Sequence, residues 1–286
     1  MVIAVALFSV MDAGLKALTA HYSSFQVAFI RAASSLPFVL VWALATVGAR
    51  PLLRVRWSLH LLRGGIGVAM MVAFVHAIRT LPLSTAYSIF FVAPLLITAL
   101  SVPLLRERVG PRRWAAIAVG MVGVLVVLRP TGEGVLTVAG LAVLLAALAY
   151  AISAITVRIL GRTDSTQAMM VWLLAFMALG AGALALTAWT PIRPQDYWIV
   201  LGVGLVGAVA QYAITEAFRL GEASLIAPIE YTALLWGVIL DATLWGVLPD
   251  GVTWAGAAII VASGLYLMRR ERLQGDAGAS PDGPAP

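Results

Sequence analysis

A register that repeats after 140 residues constrains this chain more than any local motif. The stretch from Ala77 to Pro130 aligns without a gap on Ala217 to Arg270, with matches at Arg79/Arg219, Ser84/Ser224, Trp114/Trp254 and Arg129/Arg269 among others. Matched alanines and leucines are expected by chance in an apolar chain. Matched arginine, serine and tryptophan in one register are not, and self-similarity at a fixed offset outranks local pattern. The chain therefore reads as a duplicated unit.

Composition sets the medium in which that unit folds. Hydrophobic residues make up 62% and charged residues 11%, with a mean hydropathy of +0.98, far from the roughly 25% charge of a soluble domain. Cysteine is absent, which removes disulfides and thiolate metal sites. The net charge of +6 does not point to nucleic acid, because the arginines sit at the ends of apolar stretches, where they orient a membrane protein. The lipid bilayer is the expected partner, together with a small-molecule substrate.

Apolar stretches run over 2–19, 25–47, 58–78, 83–105, 113–128, 137–159, 166–189, 197–219, 224–248 and 252–268. Most approach the ~20 residues needed to cross ~30 Å of hydrocarbon. The expected fold is all-α and integral to the membrane, with ten transmembrane helices. Residues 1–132 form the first repeat (helices one to five), 133–272 the second (helices six to ten), and 273–286 a disordered cytoplasmic tail of Gly, Asp, Ala, Ser and Pro. No basic region precedes the first stretch, so a cleaved signal peptide fits poorly.

With a cytoplasmic N-terminus, inner loops and flanks carry Arg50, Arg54, Arg56, Arg63, Arg106, Arg108, Arg112, Arg113, Arg158, Arg162, Arg219, Arg269, Arg270 and Arg272. The outer ends carry Lys16, Arg79, Arg129 and Arg193. That bias places both termini inside. Five helices per repeat is an odd number, so the second copy enters from the opposite side and the repeats are inverted. Inverted repeats build a site at their interface that opens alternately to each face.

Pro82-Leu83-Ser84-Thr85-Ala86-Tyr87 leading into helix four, Pro94 within it, Arg106-Glu107-Arg108 at its end and Pro249-Asp250 before the last helix resemble the drug/metabolite transporter superfamily, EamA type. The resemblance covers residues 1–272 and is strongest to bacterial amino-acid exporters of the YddG kind. It implies an inner-membrane carrier of small amphipathic metabolites, aromatic or neutral amino acids first, with nucleotide-sugar or vitamin carriage as the alternative in the same class. One departure stands out: the family places a glutamate after glycine at both helix ends, and Glu107 fits while Val247 does not.

Rival readings are an uncoupled channel and an intramembrane enzyme. The chain lacks H-E-x-x-H and G-x-S-x-G, the zinc and serine-nucleophile signatures, so no catalytic residue, metal or cofactor is expected. Gly202-x-Gly204-x-x-Gly207 lies inside an apolar stretch and reads as close helix packing, not dinucleotide binding. Small residues on helices five and ten, such as Gly120 and Gly256, suggest scaffold or dimer contact, with the chain a monomer or weak homodimer.

Polar residues within the stretches mark the candidate site, since ionisable groups in hydrocarbon are costly. Asp12 and Lys16 are four apart and expected to pair on one helix face, for charge balance or coupling. His76 is taken as the intramembrane imidazole. Tyr87, Phe90, Phe91, Tyr150, Gln211, Tyr212, Glu230 and Tyr231 complete the candidate substrate-binding set, while Arg31 is expected to be structural or to snorkel outward. Pro94 and Pro228 are candidate hinges, because proline removes a backbone hydrogen bond and kinks a helix.

Overall fold

The computed structural model describes residues 1–107, 109–128, 137–246 and, from the last apolar stretch, 251, 252, 254–256, 258, 259, 262, 263 and 266. The tail at 273–286, the departure at Val247, Pro249-Asp250 and about half of the tenth stretch lie outside the described residues. Those that are described contain helices and no strand.

The helices are α1 (Val2–Leu18), α2 (Ser24–Thr46), a short α3 (Ala49–Leu53), α4 (Trp57–Ile78), α5 (Leu83–Phe90), α6 (Ala93–Leu105), α7 (Pro111–Leu128), α8 (Val138–Leu160), α9 (Thr166–Ala185), α10 (Tyr197–Leu220), α11 (Ala223–Ile226) and α12 (Ala233–Trp245). Ser23, Thr137 and Ser165 cap α2, α8 and α9 by accepting from the backbone N–H three residues on, as an N-cap hydroxyl does. Among the described residues, five helical stretches are long and apolar enough to cross a bilayer, and Ala93–Leu105 and Trp114–Gly123 are shorter apolar helices.

Two apolar stretches are broken. The fourth divides into α5 and α6 at Phe91 and Val92, just ahead of Pro94. The ninth divides into α11, a 3-10 segment over Ala227–Thr232 that contains Pro228, and α12. A proline near the start of a helix fits because its missing N–H is unpaired there anyway. The 140-residue register is visible in the backbone: Ala93–Leu105 and Ala233–Trp245 have matching ends. Their C-caps, Arg106 (φ 57°) and Gly246 (φ 67°), are both left-handed and donate to the carbonyls of Ser101 and Asp241.

Packing follows the same exchange of halves. α1 packs on α10 as α8 packs on α4, α2 packs on α10 as α9 packs on α4, and the broken stretches lie against each other, α5 on α12 and α6 on α11. Polarity is inside out: Val41, Leu179 and Leu205 are exposed on the outer surface, while Asp12, Arg31, Arg63, Gln211, Glu230 and Asp241 are buried. That distribution suits a surrounding hydrocarbon and a polar interior.

The glycine fingerprint is a packing device at two of its three positions. A Cβ added at Gly204 would come 2.6 Å from the Ser34 carbonyl oxygen of α2, and one at Gly207 2.9 Å from Met11 and Ser35 side-chain atoms, whereas Gly202 faces nothing within 4 Å. Gly204→Ala is expected to cost about 1–3 kcal/mol through overpacking and to lower the melting temperature in detergent. Gly202→Ala should leave it unchanged, and equal melting of both variants would show that this contact does not hold α10 to α2.

Candidate functional site

The broken stretches meet at the centre of the bundle and, with α1, α2, α4, α8, α9 and α10, enclose a cavity. Its unfilled space, counting the part open to the medium, is about 1040 Å³. Phe8, Met70, Phe74, Phe90, Leu173 and Phe218 supply apolar wall. Phe74 and Tyr87 stack 6.2 Å apart, and Phe90 leans on Tyr150 at 5.3 Å, so flat faces line one side.

Four ionisable side chains share this wall. Asp12 accepts from the Tyr87 hydroxyl at 2.9 Å, and Glu230 from the Tyr150 hydroxyl at 2.6 Å. Arg31 donates to Gln211 Oε1 at 3.1 Å, and Gln211 in turn to Thr215 at 3.2 Å. Arg63 donates to the Met169 carbonyl at 2.8 Å and to Ser153 Oγ at 3.3 Å. Both arginines are nearly inaccessible, at 3% and 2% exposure, and the Arg31 Nε–H is buried without a hydrogen-bond partner.

Of the residues singled out in the sequence, Asp12, Tyr87, Phe90, Phe91, Tyr150, Gln211 and Glu230 come together on the cavity wall. Tyr231 is buried next to it, edge-on to Phe91 at 5.3 Å and against Gly120. Five placements differ from expectation. Lys16 does not pair with Asp12: its ammonium donates to the Leu81 carbonyl at 2.9 Å and lies 5.0 Å from the Trp245 ring centre. His76 is exposed, and the buried imidazole is His60, near the other end of α4. Tyr212 is 44% exposed and packs edge-on against Trp42 at 5.2 Å, turned away from the cavity. Arg31, expected to be structural or to snorkel outward, and Arg63, expected as a flanking charge, line the cavity instead.

Carboxylates also tie the broken stretches across the two halves. Asp241 of α12 accepts the Ser84 N–H at the start of α5 at 3.1 Å, and Glu107, beyond α6, accepts the Ala223 N–H at the start of α11 at 2.9 Å. Near the turn between α8 and α9, Asp164 binds His60 Nε2 at 2.8 Å. Burial opposes ionisation of Asp164, yet bonds from the Thr163 hydroxyl, His60 and the Arg56 N–H hold its carboxyl below the ordinary carboxylate range.

Residues 1–129 and 137–269 each match the model of the EamA-like transporter family. The chain belongs to that family. Among EamA relatives it is 31% identical to a riboflavin transporter of Vibrio cholerae over 88% of this chain and 87% of that one. A riboflavin transporter of Rhizobium johnstonii is 32% identical over 83% and 77%, and a pseudopaline exporter of Pseudomonas aeruginosa 25% identical over 93% of both. A solved crystal structure, 22% identical, superposes with a TM-score of 0.76 over 94% of this chain and 96% of that one, which shows the shared fold. None of these relatives carries the name of an amino-acid exporter.

Wall and periphery make different forecasts. Phe90→Ala should raise the half-saturating substrate concentration roughly tenfold, equivalent to ~1.4 kcal/mol of lost contact. His76→Ala and Tyr212→Ala should leave it unchanged. Transport assays on the three variants check this, and a tenfold change at His76 would move the site toward that end of α4.

Proposed function

We propose that this EamA protein is a bacterial inner-membrane carrier that moves a small amphipathic metabolite with a flat aromatic ring through its central cavity by alternating access. The observation that carries the proposal is the cavity itself, where aromatic faces and four ionisable groups from both halves surround one space. Flat rings of a substrate stack on Phe74, Tyr87, Phe90 and Tyr150, while Arg31, Gln211, Asp12 and Glu230 meet its donors and acceptors. The similarity to riboflavin transporters over most of the chain favours a flavin-like vitamin as the first substrate to test. Aromatic amino acids are the second reading, favoured by acids and arginines on the same wall, which suit a zwitterion.

The ten-span arrangement belongs to this proposal, with α1, α2, α4, α5–α6, α7, α8, α9, α10, α11–α12 and the stretch at 252–268 as the spans. Matched packing partners in the two halves support inverted five-helix repeats, and the arginine bias supports cytoplasmic termini. Pro94 and Pro228 sit at the breaks, where a short irregular segment can absorb the angular change of a gate.

Proteoliposomes loaded with unlabelled compound test the substrate. Labelled riboflavin should enter by saturable counterflow and leave unmodified, whereas labelled tryptophan in its place would support the amino-acid reading. Uptake that never saturates would indicate a channel, and a modified product an enzyme. Because the chain has no cysteine, single cysteines at Arg112 and Asp250 report sidedness on a clean background. They should react with impermeant reagents from opposite faces, and labelling from one face would overturn the inverted repeat.

A further inference from the structure

We infer that the four charged side chains on the cavity wall act as one balanced set, so that the carrier selects substrates of zero net charge and discriminates against singly charged relatives of the same shape. The inference rests on the central cavity being the substrate path, as proposed above. Asp12 and Glu230 contribute two formal negative charges, Arg31 and Arg63 two positive, and all four line the same cavity.

None of them neutralises another by direct contact. Each acid is held by a tyrosine hydroxyl and each guanidinium by neutral acceptors: Gln211 for Arg31, and Ser153 and the Met169 carbonyl for Arg63. Among the described residues, no ion pair within 4.0 Å joins any of the four to a partner of opposite sign. Tight salt bridges would hide the charges from a ligand. Held apart by neutral partners, they present separate positive and negative points to whatever enters, while the total stays at zero.

The balance follows from the medium. A net charge in a space walled by hydrocarbon-embedded helices lacks the solvent that would screen it. A neutral or zwitterionic substrate leaves the sum at zero and finds both signs available. A singly charged analogue leaves one unit uncompensated. At an effective dielectric near 20 and a separation of about 8 Å, one unit charge corresponds to roughly thirtyfold in binding.

The test uses the full chain in detergent with ligands matched in shape and differing in charge. Tryptophan is compared with tryptamine, which lacks its carboxylate, and with indole-3-propionate, which lacks its ammonium, by thermal-shift titration. Expected for the unaltered protein is tightest binding of the zwitterionic member, by about thirtyfold. Asp12→Asn, which keeps the Tyr87 bond possible, should shift preference toward the anion, and Arg63→Gln toward the cation. The double variant D12N/R63Q restores the zero sum and should restore the original order even if its affinity is lower. An anion bound best by the unaltered protein would mean that the carboxyls are neutral in the cavity, and would overturn the balance. So would a double variant whose order stays shifted, since individual contacts and not the sum would then set selectivity. Proteoliposome counterflow separates the two readings: a protein that binds in the expected order yet moves nothing across the membrane refutes the carrier and leaves the charge balance standing.

Discussion

Breaking a helix inside a bilayer releases backbone N–H groups where no water can take them, and the rest of this structure is built around that problem. Ahead of each break, the start of the broken stretch is fixed by an acid from the opposite half of the chain. Asp241 in α12 takes the Ser84 N–H, and Glu107 beyond α6 takes the Ala223 N–H. A carboxylate at a helix start is favoured twice, by the hydrogen bond and by the helix dipole. Each half thereby anchors the start of the other's broken stretch. The two breaks are held face to face, and the cavity opens where their helical backbone is interrupted.

Enclosing charge in such a cavity is costly unless each group has a partner; a charged residue at the centre of a membrane helix costs about 2.5–3.5 kcal/mol on insertion scales. Here the cost is offset by tyrosine, glutamine, serine and backbone partners. Those partners also fix where each charge sits. Arg63 is anchored by α8 and α9 at once, so its guanidinium is positioned before substrate arrives. Preorganisation of this kind reduces the ordering cost of binding. The unpartnered Nε–H of Arg31 is the exception, and a substrate acceptor reaching it would gain a bond that the empty protein lacks.

Much of the scaffold was legible in the sequence because it is written in spacing. The offset of 140 that aligns Ser84 with Ser224 also aligns the ends of α6 with those of α12 and the two left-handed caps at 106 and 246. Side-chain direction was not legible in the same way. On α4, His76 is a polar group in an apolar run, but it lies thirteen positions from Arg63, on the order of 220° round a helix of 3.6 residues per turn. Met70 and Phe74, about two and three turns from Arg63, share its face and reach the cavity. A wheel anchored on Arg63 would have excluded His76. Arg63 lies near the start of its stretch, where sequence position alone marks a flanking charge. On α10, Gln211 faces inward, and its neighbour Tyr212, about 100° further round, meets Trp42 outside.

The same division explains why motifs identify the family and leave the substrate open. Pro82-Leu83-Ser84, Pro94 and Arg106-Glu107 sit at helix starts, breaks and caps, where the backbone must be satisfied whatever is carried. The wall residues come instead from α1, α2, α4, α5, α8, α9, α10, α12 and the 3-10 segment of the ninth stretch, and where one helix gives several, as at Tyr150, Ser153, Ala154 and Val157, the spacing is only that of an inward helix face and carries no substrate signature. The one acid missing from the family pattern shows how loosely position is bound to role. Val247 cannot accept an N–H, and the cap on α5 comes from Asp241, about a turn and a half earlier on the same stretch. A carboxylate need only reach the helix start, so the requirement is set in space and can be met from more than one place in the sequence. The same freedom at the cavity wall lets one scaffold serve chemically different cargoes, through changes of side chain that leave every break and cap in place.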